Sequence, residues 1–120
     1  MSKRTLVLGV SENPDRYAYK ATTRLRAAGH EVVAVGKVEG RIGDTPIHKN
    51  WPADRSIDTL TLYINPLHQK PFYSRILQLA PKRIIFNPGT ENPELETLAQ
   101  SHGIETVEAC TLVLLAVGEF

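Results

Sequence analysis

The sequence predicts an α/β fold, a parallel sheet covered by helices on both faces. Three observations carry that expectation. Short apolar runs alternate with amphipathic stretches along the 120 residues, which is the pattern of βαβ units. Three of the runs, 5–10 (T-L-V-L-G-V), 31–36 (E-V-V-A-V-G) and 83–87 (R-I-I-F-N), lack strict polar alternation, as strands buried on both faces do. Two of the amphipathic stretches open on Asn-Pro and close on Gly, the signals that start and stop helices.

Residues 5–10 form the first strand. Asn13-Pro14 then supplies a helix N-cap with Pro at the first helical position, and Gly29 supplies the stop. Between them Ala18, Ala21, Leu25 and Ala28 recur on one helical face. The second strand is 31–36. The segment 37–56 has no strong period and is long for a plain connection; 42–47 within it suits a short edge strand, and a crossover helix there has little support. The third strand is 58–64 (D-T-L-T-L-Y-I). Phe72, Ile76 and Leu79 mark a middle helix closed by Pro81. It starts at Pro66 or Pro71, and a start at Pro66 makes Pro71 an interior residue that kinks it. The fourth strand, 83–87, precedes a helix opened by Asn92-Pro93-Glu94, striped by Leu95, Leu98 and Ala99, and ended by Gly103. The fifth strand is 104–109, and 111–117 fits a last helix better than a sixth strand. With right-handed crossovers these elements give a Rossmann-like three-layer domain. Its five parallel strands run in the order 3-2-1-4-5 with helices on both faces, as one domain over residues 1–120.

Composition narrows the function classes. Fourteen Lys plus Arg against 13 Asp plus Glu leave a net charge of +1, too little for broad capture of nucleic acid or a membrane surface, so any anion site is local. The longest apolar run, 112–117, is far shorter than the roughly 20 residues of a membrane span. The N-terminal stretch carries no signal-peptide cleavage site, and the expectation is a cytoplasmic protein. A single cysteine, Cys110, excludes an internal disulfide and a Cys-based zinc site. His30, His48, His68 and His102 stand singly, with neither the pairing of a metal site nor a Ser-His-Asp pattern.

In an open α/β sheet, ligands bind beyond the carboxyl ends of the strands. Four junctions supply that edge: 9–13, Gly36-Lys37, Asn65-Pro66 and 87–92. At the first, Gly9 permits a tight turn, Ser11 and Asn13 bring polar side chains, and a following helix N-terminus makes an anion site. At the fourth, Gly89 and Thr90 precede a second helix N-terminus, so two helix ends are expected to converge on one crevice. The NAD fingerprint G-x-G-x-x-G is absent, because Ser11 and Pro14 occupy its second and third Gly positions. The second strand ends on Val35-Gly36-Lys37 rather than on a carboxylate, and Lys37 suits a phosphorylated ribose. Arg16 and Lys20, at i and i+4, add charge to the same side. The residues point to a phosphorylated nucleotide other than NAD; NADP and coenzyme A both qualify. In the competing reading Gly9 and Gly36 merely end strands, and the three cations are solvated.

The runs G-V-S-E-N-P-D-R-Y-A-Y-K (9–20), A-V-G-K (34–37), I-G-D-T-P-I (42–47), Y-I-N-P (63–66) and N-P-G-T-E-N-P-E-L (87–95) carry a resemblance over nearly the whole chain. In that order they resemble the small stand-alone coenzyme-A-binding-domain proteins, which look like the N-terminal domain of the succinyl-CoA synthetase alpha subunit. The resemblance implies a loop that wraps the pyrophosphate of CoA through Ser11, Asn13, Arg16, Tyr19 and Lys20. It implies contacts to the phosphorylated ribose or adenine from Gly36 and Lys37. Asn65 and Pro66 at the third strand end, and Pro88, Gly89 and Thr90 after the fourth, complete the implied site with Gly9. The chain departs from the commoner pattern at Gly36-Lys37, where synthetase-like members usually have Asn-Pro. It departs again at Asn87-Pro88-Gly89, which replaces a more apolar run. The synthetases phosphorylate a histidine carried by a second domain, so the resemblance implies the binding half without the catalytic half.

Cys110 follows the fifth strand on the ligand edge. Its thiol either meets the pantetheine end of CoA, as a mixed disulfide for example, or is a buried structural cysteine, the usual fate of a lone Cys. The leading expectation is a non-catalytic module that binds CoA or an acyl-CoA, acting with a protein partner. The alternative is an NADP-binding enzyme or redox sensor of Rossmann type, with Lys37 on the 2′-phosphate, and an interaction domain without ligand is the third reading.

Overall fold

The computed structural model of the chain describes residues 2–52 and 56–120. The elements are β1 (Thr5–Leu8), α1 (Tyr17–Ala27), β2 (Val32–Val35), β3 (Gly40–Ile42), β4 (Thr45–His48), β5 (Thr59–Leu62), α2 (Pro66–Gln69), a 3₁₀ turn (Lys70–Phe72), α3 (Tyr73–Leu79), β6 (Arg83–Phe86), α4 (Pro93–Ser101), β7 (Glu105–Glu108) and α5 (Thr111–Ala116). The strands form one sheet in the order β3-β4-β2-β1-β5-β6-β7. All neighbours are parallel except the β3–β4 hairpin at the edge.

The α/β Rossmann-like architecture is as expected, but five strands in the order 3-2-1-4-5 is not. The sheet has seven strands, and the strand expected third, now β5, pairs with β1 on the side away from β2. The place outside β2 belongs to β4, which lies in the segment without a strong period. Gly43 and Asp44 there close a two-residue turn between Ile42 and Thr45, the shortest hairpin connection. Ile42 and Ile47 turn inward from the two hairpin strands, and this hairpin extends the sheet without a crossover helix. Residues 53–55 of the same segment lie outside the described residues.

Strand side chains alternate between two apolar layers, and both faces of the sheet are covered. Leu6, Leu8, Leu60, Leu62, Ile84 and Phe86 point to the face where α3 and α4 bring Ile76, Leu79, Leu95 and Ala99. Val7, Ala34 and Ile85 point to the other, against Ala18 and Leu25 of α1 and the partly buried Leu114 and Leu115 of α5. Each fully buried aliphatic side chain here contributes about 1.5–3 kcal/mol relative to exposure. Strand β7 at the far edge presents Glu105 and Glu108 to solvent, a charged edge that discourages further pairing.

The start and stop signals resolve unequally. Asn65 and Asn92 act as N-caps, accepting the backbone N–H of His68 at 3.0 Å and of Leu95 at 3.2 Å. Pro71 falls inside the 3₁₀ turn between α2 and α3, the break that its missing N–H imposes. Asn13 is not the cap of α1. Its Oδ1 accepts Asp15 N–H at 3.0 Å and its carbonyl accepts Arg16 N–H at 3.1 Å, so Asn13-Pro14-Asp15 forms a turn and the helix begins only at Tyr17.

Threonine and asparagine side chains bind the centre of the sheet together. Asn87, directly after β6 and 2% exposed, donates from Nδ2 to Thr61 Oγ1 (2.6 Å) and to Leu62 O (2.8 Å). Its Oδ1 accepts Thr111 N–H at 2.8 Å, and the Thr61 and Thr111 hydroxyls share a further bond of 2.8 Å. Asn87→Ala strands the Thr111 N–H and the Leu62 carbonyl in a dry interior. It is expected to lower unfolding free energy by about 2–3 kcal/mol, measured by urea denaturation; a change under about 0.5 kcal/mol counts against this role.

Candidate functional site

The chain leaves β1 toward β2 and β4 but leaves β5 toward β6 and β7, so strand order reverses between β1 and β5. The loops after these two strands diverge and open a crevice beyond their carboxyl ends, the place where such sheets bind ligands. The first lobe of this crevice has a volume of about 550 Å³ and is walled by Gly9, Ser11, Glu12, Arg16, Lys37, Glu39 and Asn65, among others. A second lobe, about 430 Å³, shares Gly9, Arg16, Tyr63, Ile64 and Asn65 with it and runs on to Pro88, Gly89 and Thr90. A third, about 230 Å³, meets the second at Tyr17, Tyr63 and Pro88 and ends at Cys110 and Leu112. The three adjoin as one long groove, and the first two lobes each have a volume usual for small-molecule sites.

The walls of the groove carry both signs of charge. Arg16 and Lys37 are exposed, and neither side chain makes a hydrogen bond or ion pair among the described residues. The first N–H groups of α1, which lack partners within the helix, follow Arg16 at the mouth of the second lobe. Facing them are Glu12, Asp15 and Glu39. Glu12 is occupied: its Oε2 accepts Arg41 N–H at 2.9 Å and ties the loop after β1 to the hairpin. An anion that reaches the second lobe meets Arg16 and the positive end of the α1 dipole together.

Two glycines have separate structural reasons. Gly9 sits at φ +105°, and a Cβ on it would lie 2.9 Å from Ile64 Cγ2 and 3.0 Å from Tyr63 O. Gly36 has no such dihedral, but a Cβ there would lie 2.0 Å from Val10 O. It lets the ends of β1 and β2 touch, with Val10 N–H bonded to Val35 O at 3.0 Å, and it does not line the groove.

Of the other residues expected at the site, Asn13, Tyr19, Lys20 and Pro66 are not among the groove walls. Asn13 shapes the turn described above, and Pro66 opens α2 behind Asn65. Tyr19 lies two residues past the start of α1, on the side turned away from Tyr17, and lines a separate depression with Ile42 and Thr45 of the hairpin. The Lys20 ammonium rests over the Tyr17 ring, 5.4 Å from its centroid. The fourth junction contributes walls but few free donors. Gly89 N–H is bonded to Glu91 Oε1 at 2.8 Å, and the Thr90 hydroxyl donates to Asn87 O at 2.8 Å. The α4 N-terminus, capped by the buried Asn92, does not reach these lobes, so the second helix end expected at the crevice is not there; the starts of α2 at Asn65 and of α5 at Cys110 border the lobes instead.

Tyr63 borders all three lobes and was not among the expected site residues. Its position directly after β5, at the reversal of strand order, is the signal that marks it. The Tyr63 hydroxyl is buried beside those of Thr61 and Thr111, which bond to each other, and makes no hydrogen bond among the described residues. Burial pushes its phenol up to about 12, so it is a neutral donor at physiological pH.

Residues 3–116 match the model of a family described as "CoA binding domain". A crystal structure of an uncharacterized protein is 48% identical, superposes with a TM-score of 0.97, and covers 100% of this chain and 99% of its own. A Thermus thermophilus protein designated cell-free ID.343 shares the fold at 24% identity and a TM-score of 0.87, over 99% of this chain and 91% of its own. The fold also appears in a Ca. Korarchaeum cryptofilum dinucleotide forming acetyl-coenzyme A synthetase 1 in complex with phosphate and ADP. There identity is 14% and the TM-score 0.71, over 89% of this chain and 25% of that one. No curated protein matches the sequence.

Two of the junction glycines, Gly89 and Gly36, separate packing from dihedral strain. Gly89 has φ +91° with nothing within 4 Å of a built Cβ, so Gly89→Ala is expected to cost about 1–2 kcal/mol, the penalty of a left-handed non-glycine. Gly36→Ala forces apart two hydrogen-bonded strand ends and is expected to cost about 3 kcal/mol. Thermal melting of the two variants should rank Gly36→Ala as the worse; the reverse order contradicts the contact with Val10.

Proposed function

The chain belongs to the family of CoA binding domains, and from that premise we propose that its groove binds coenzyme A or an acyl-CoA, extended across the β1–β5 reversal, as a stand-alone non-catalytic module. The observation that carries this reading is the continuity of the lobes past Tyr63, from Lys37 through the backbone at 88–90 to the mouth of an apolar lobe that ends at Cys110. CoA has the same order of parts: a phosphorylated nucleoside, a pyrophosphate and a long neutral arm that ends in sulfur. In this pose Lys37 meets the phosphorylated ribose, and Arg16, Ser11 and the first amides of α1 take the pyrophosphate. Asn65 and the backbone at 88–90 border the arm. Gly9 lets the ligand approach the loop closely, while Asn13 and Gly36 act through the shape of the loop and strand ends. In this reading chemistry on a bound thioester falls to a partner protein: Arg16, Lys37 and the first amides of α1 hold the anion, beside the wall carboxylates of Glu12, Asp15 and Glu39.

Calorimetric titration tests the reading. CoA and acetyl-CoA are expected to bind, and NADP and NAD to bind far more weakly; a preference for NADP overturns it in favour of a Rossmann-type redox role. Arg16→Ala and Lys37→Ala are each expected to weaken CoA binding by about 1.5–3 kcal/mol, the scale of a hydrogen bond to a charged group, with unchanged melting temperature because both side chains are exposed.

The exposed Ser11 stands in the pyrophosphate path. Ser11→Leu is expected to abolish CoA binding and leave the melting temperature nearly unmoved, since a loop tip buries little. Retained affinity would place the ligand elsewhere.

A further inference from the structure

The third lobe differs in kind from the other two. No charged residue lines it; its walls are Tyr17, Tyr63, Asn87, Pro88, Cys110 and Leu112. The one amide among them is fully committed, with Asn87 Nδ2 on Thr61 Oγ1 and Leu62 O, and its Oδ1 on Thr111 N–H. The Cys110 thiol, partly exposed, counts as a small apolar surface with a weak donor. A ligand group that enters this lobe therefore finds aromatic, prolyl, leucyl and thiol surface, and the uncommitted strong hydrogen-bonding side chains there are the two tyrosine hydroxyls, that of Tyr63 buried and that of Tyr17 on an exposed side chain.

We propose that this lobe is an acyl pocket, so that the protein favours acyl-CoA thioesters with short linear chains over free CoA. The inference rests on the CoA reading above and adds the class of acyl group. The lobe joins the second at Tyr17, Tyr63 and Pro88, where the neutral arm of CoA ends in that pose, so the chain beyond the sulfur continues into it. Its volume of about 230 Å³ has room for roughly seven groups of the size of water, at about 30 Å³ each. That admits butyryl or hexanoyl and is filled before a long fatty chain ends. Free CoA leaves the apolar walls wetted; a short chain removes them from water, which favours binding roughly fourfold per buried methylene.

The experiment is a calorimetric series on the intact protein with CoA, acetyl-CoA, butyryl-CoA, hexanoyl-CoA and dodecanoyl-CoA. Affinity is expected to rise from CoA to butyryl-CoA by at least tenfold and to gain nothing further from hexanoyl to dodecanoyl. Leu112→Arg, which sets a charge in the lobe, is expected to bring butyryl-CoA down to the affinity of free CoA while free CoA stays within about twofold. Should that variant fail to fold, Cys110→Leu narrows the same lobe and is expected to shift the optimum to acetyl-CoA. Equal affinity for CoA and every thioester overturns the acyl pocket and leaves the CoA reading standing. Absence of binding throughout the series overturns the CoA reading, and the acyl pocket falls with it.

Discussion

The parallel pairing of β1 with β5 sets two chain exits side by side, and Tyr63 N–H is still bonded to Leu8 O at 2.9 Å where both strands end. From there the backbone has to separate, because one chain returns through α1 to β2 and the other through α2 and α3 to β6. Gly9 makes the separation possible by adopting φ +105° against the Tyr63 carbonyl. The crevice is thus a direct product of topology: two adjacent strands whose connections pass to opposite faces leave a gap that no backbone fills.

Committed side-chain amides keep that gap in shape. Gln69, with no exposed surface, donates to Ile64 O at 2.9 Å and to Thr90 O at 2.8 Å, so the loops after β5 and β6 are tied to one side chain. Asn92 reaches back to Gln69 Oε1 at 2.8 Å and to the Tyr73 hydroxyl at 2.9 Å, which adds the starts of α3 and α4 to the same network. Asn87 does the equivalent for β5, β6 and α5. Buried amides satisfied in this way cost little and resist displacement, because moving one partner strands the others. The donors of the fourth junction serve this internal frame. The groups left over along the groove, Arg16, Lys37 and the first amides of α1, are the ones an anionic ligand can use.

The hairpin shows how far local pattern reaches. Gly43-Asp44 between two inward isoleucines is a turn signal that a period search over twenty residues dilutes, and without it the place outside β2 goes to the wrong strand. Asn13-Pro14 shows the opposite failure: a correct start signal whose asparagine was engaged locally by Asp15 N–H at 3.0 Å, which delays the helix by a turn. That delay also turns Tyr19 toward the hairpin and Tyr17 toward the groove. The CoA-type resemblance, carried by the junction motifs in order, agreed with the family match over residues 3–116.

The sequence by itself determined the five strands outside the hairpin, the helices between them and their layers, because burial on two faces, Asn-Pro starts and Gly stops are local and leave their mark residue by residue. It also determined that the ligand edge carries Gly9, Ser11, Arg16 and Lys37 where an NAD fingerprint would differ. Tertiary structure alone decided which of these residues share a wall. Lys37 and Ser11 meet across strands paired in space rather than in sequence, and Gly36 answers to Val10 O at 2.0 Å from its would-be Cβ, a clash between neighbouring strands that neither segment records on its own. Tyr63 and Cys110 are 47 positions apart and border one apolar lobe because β5 and α5 are held together through Thr61, Asn87 and Thr111. Such adjacency depends on strand order, and strand order is a property of the packed sheet.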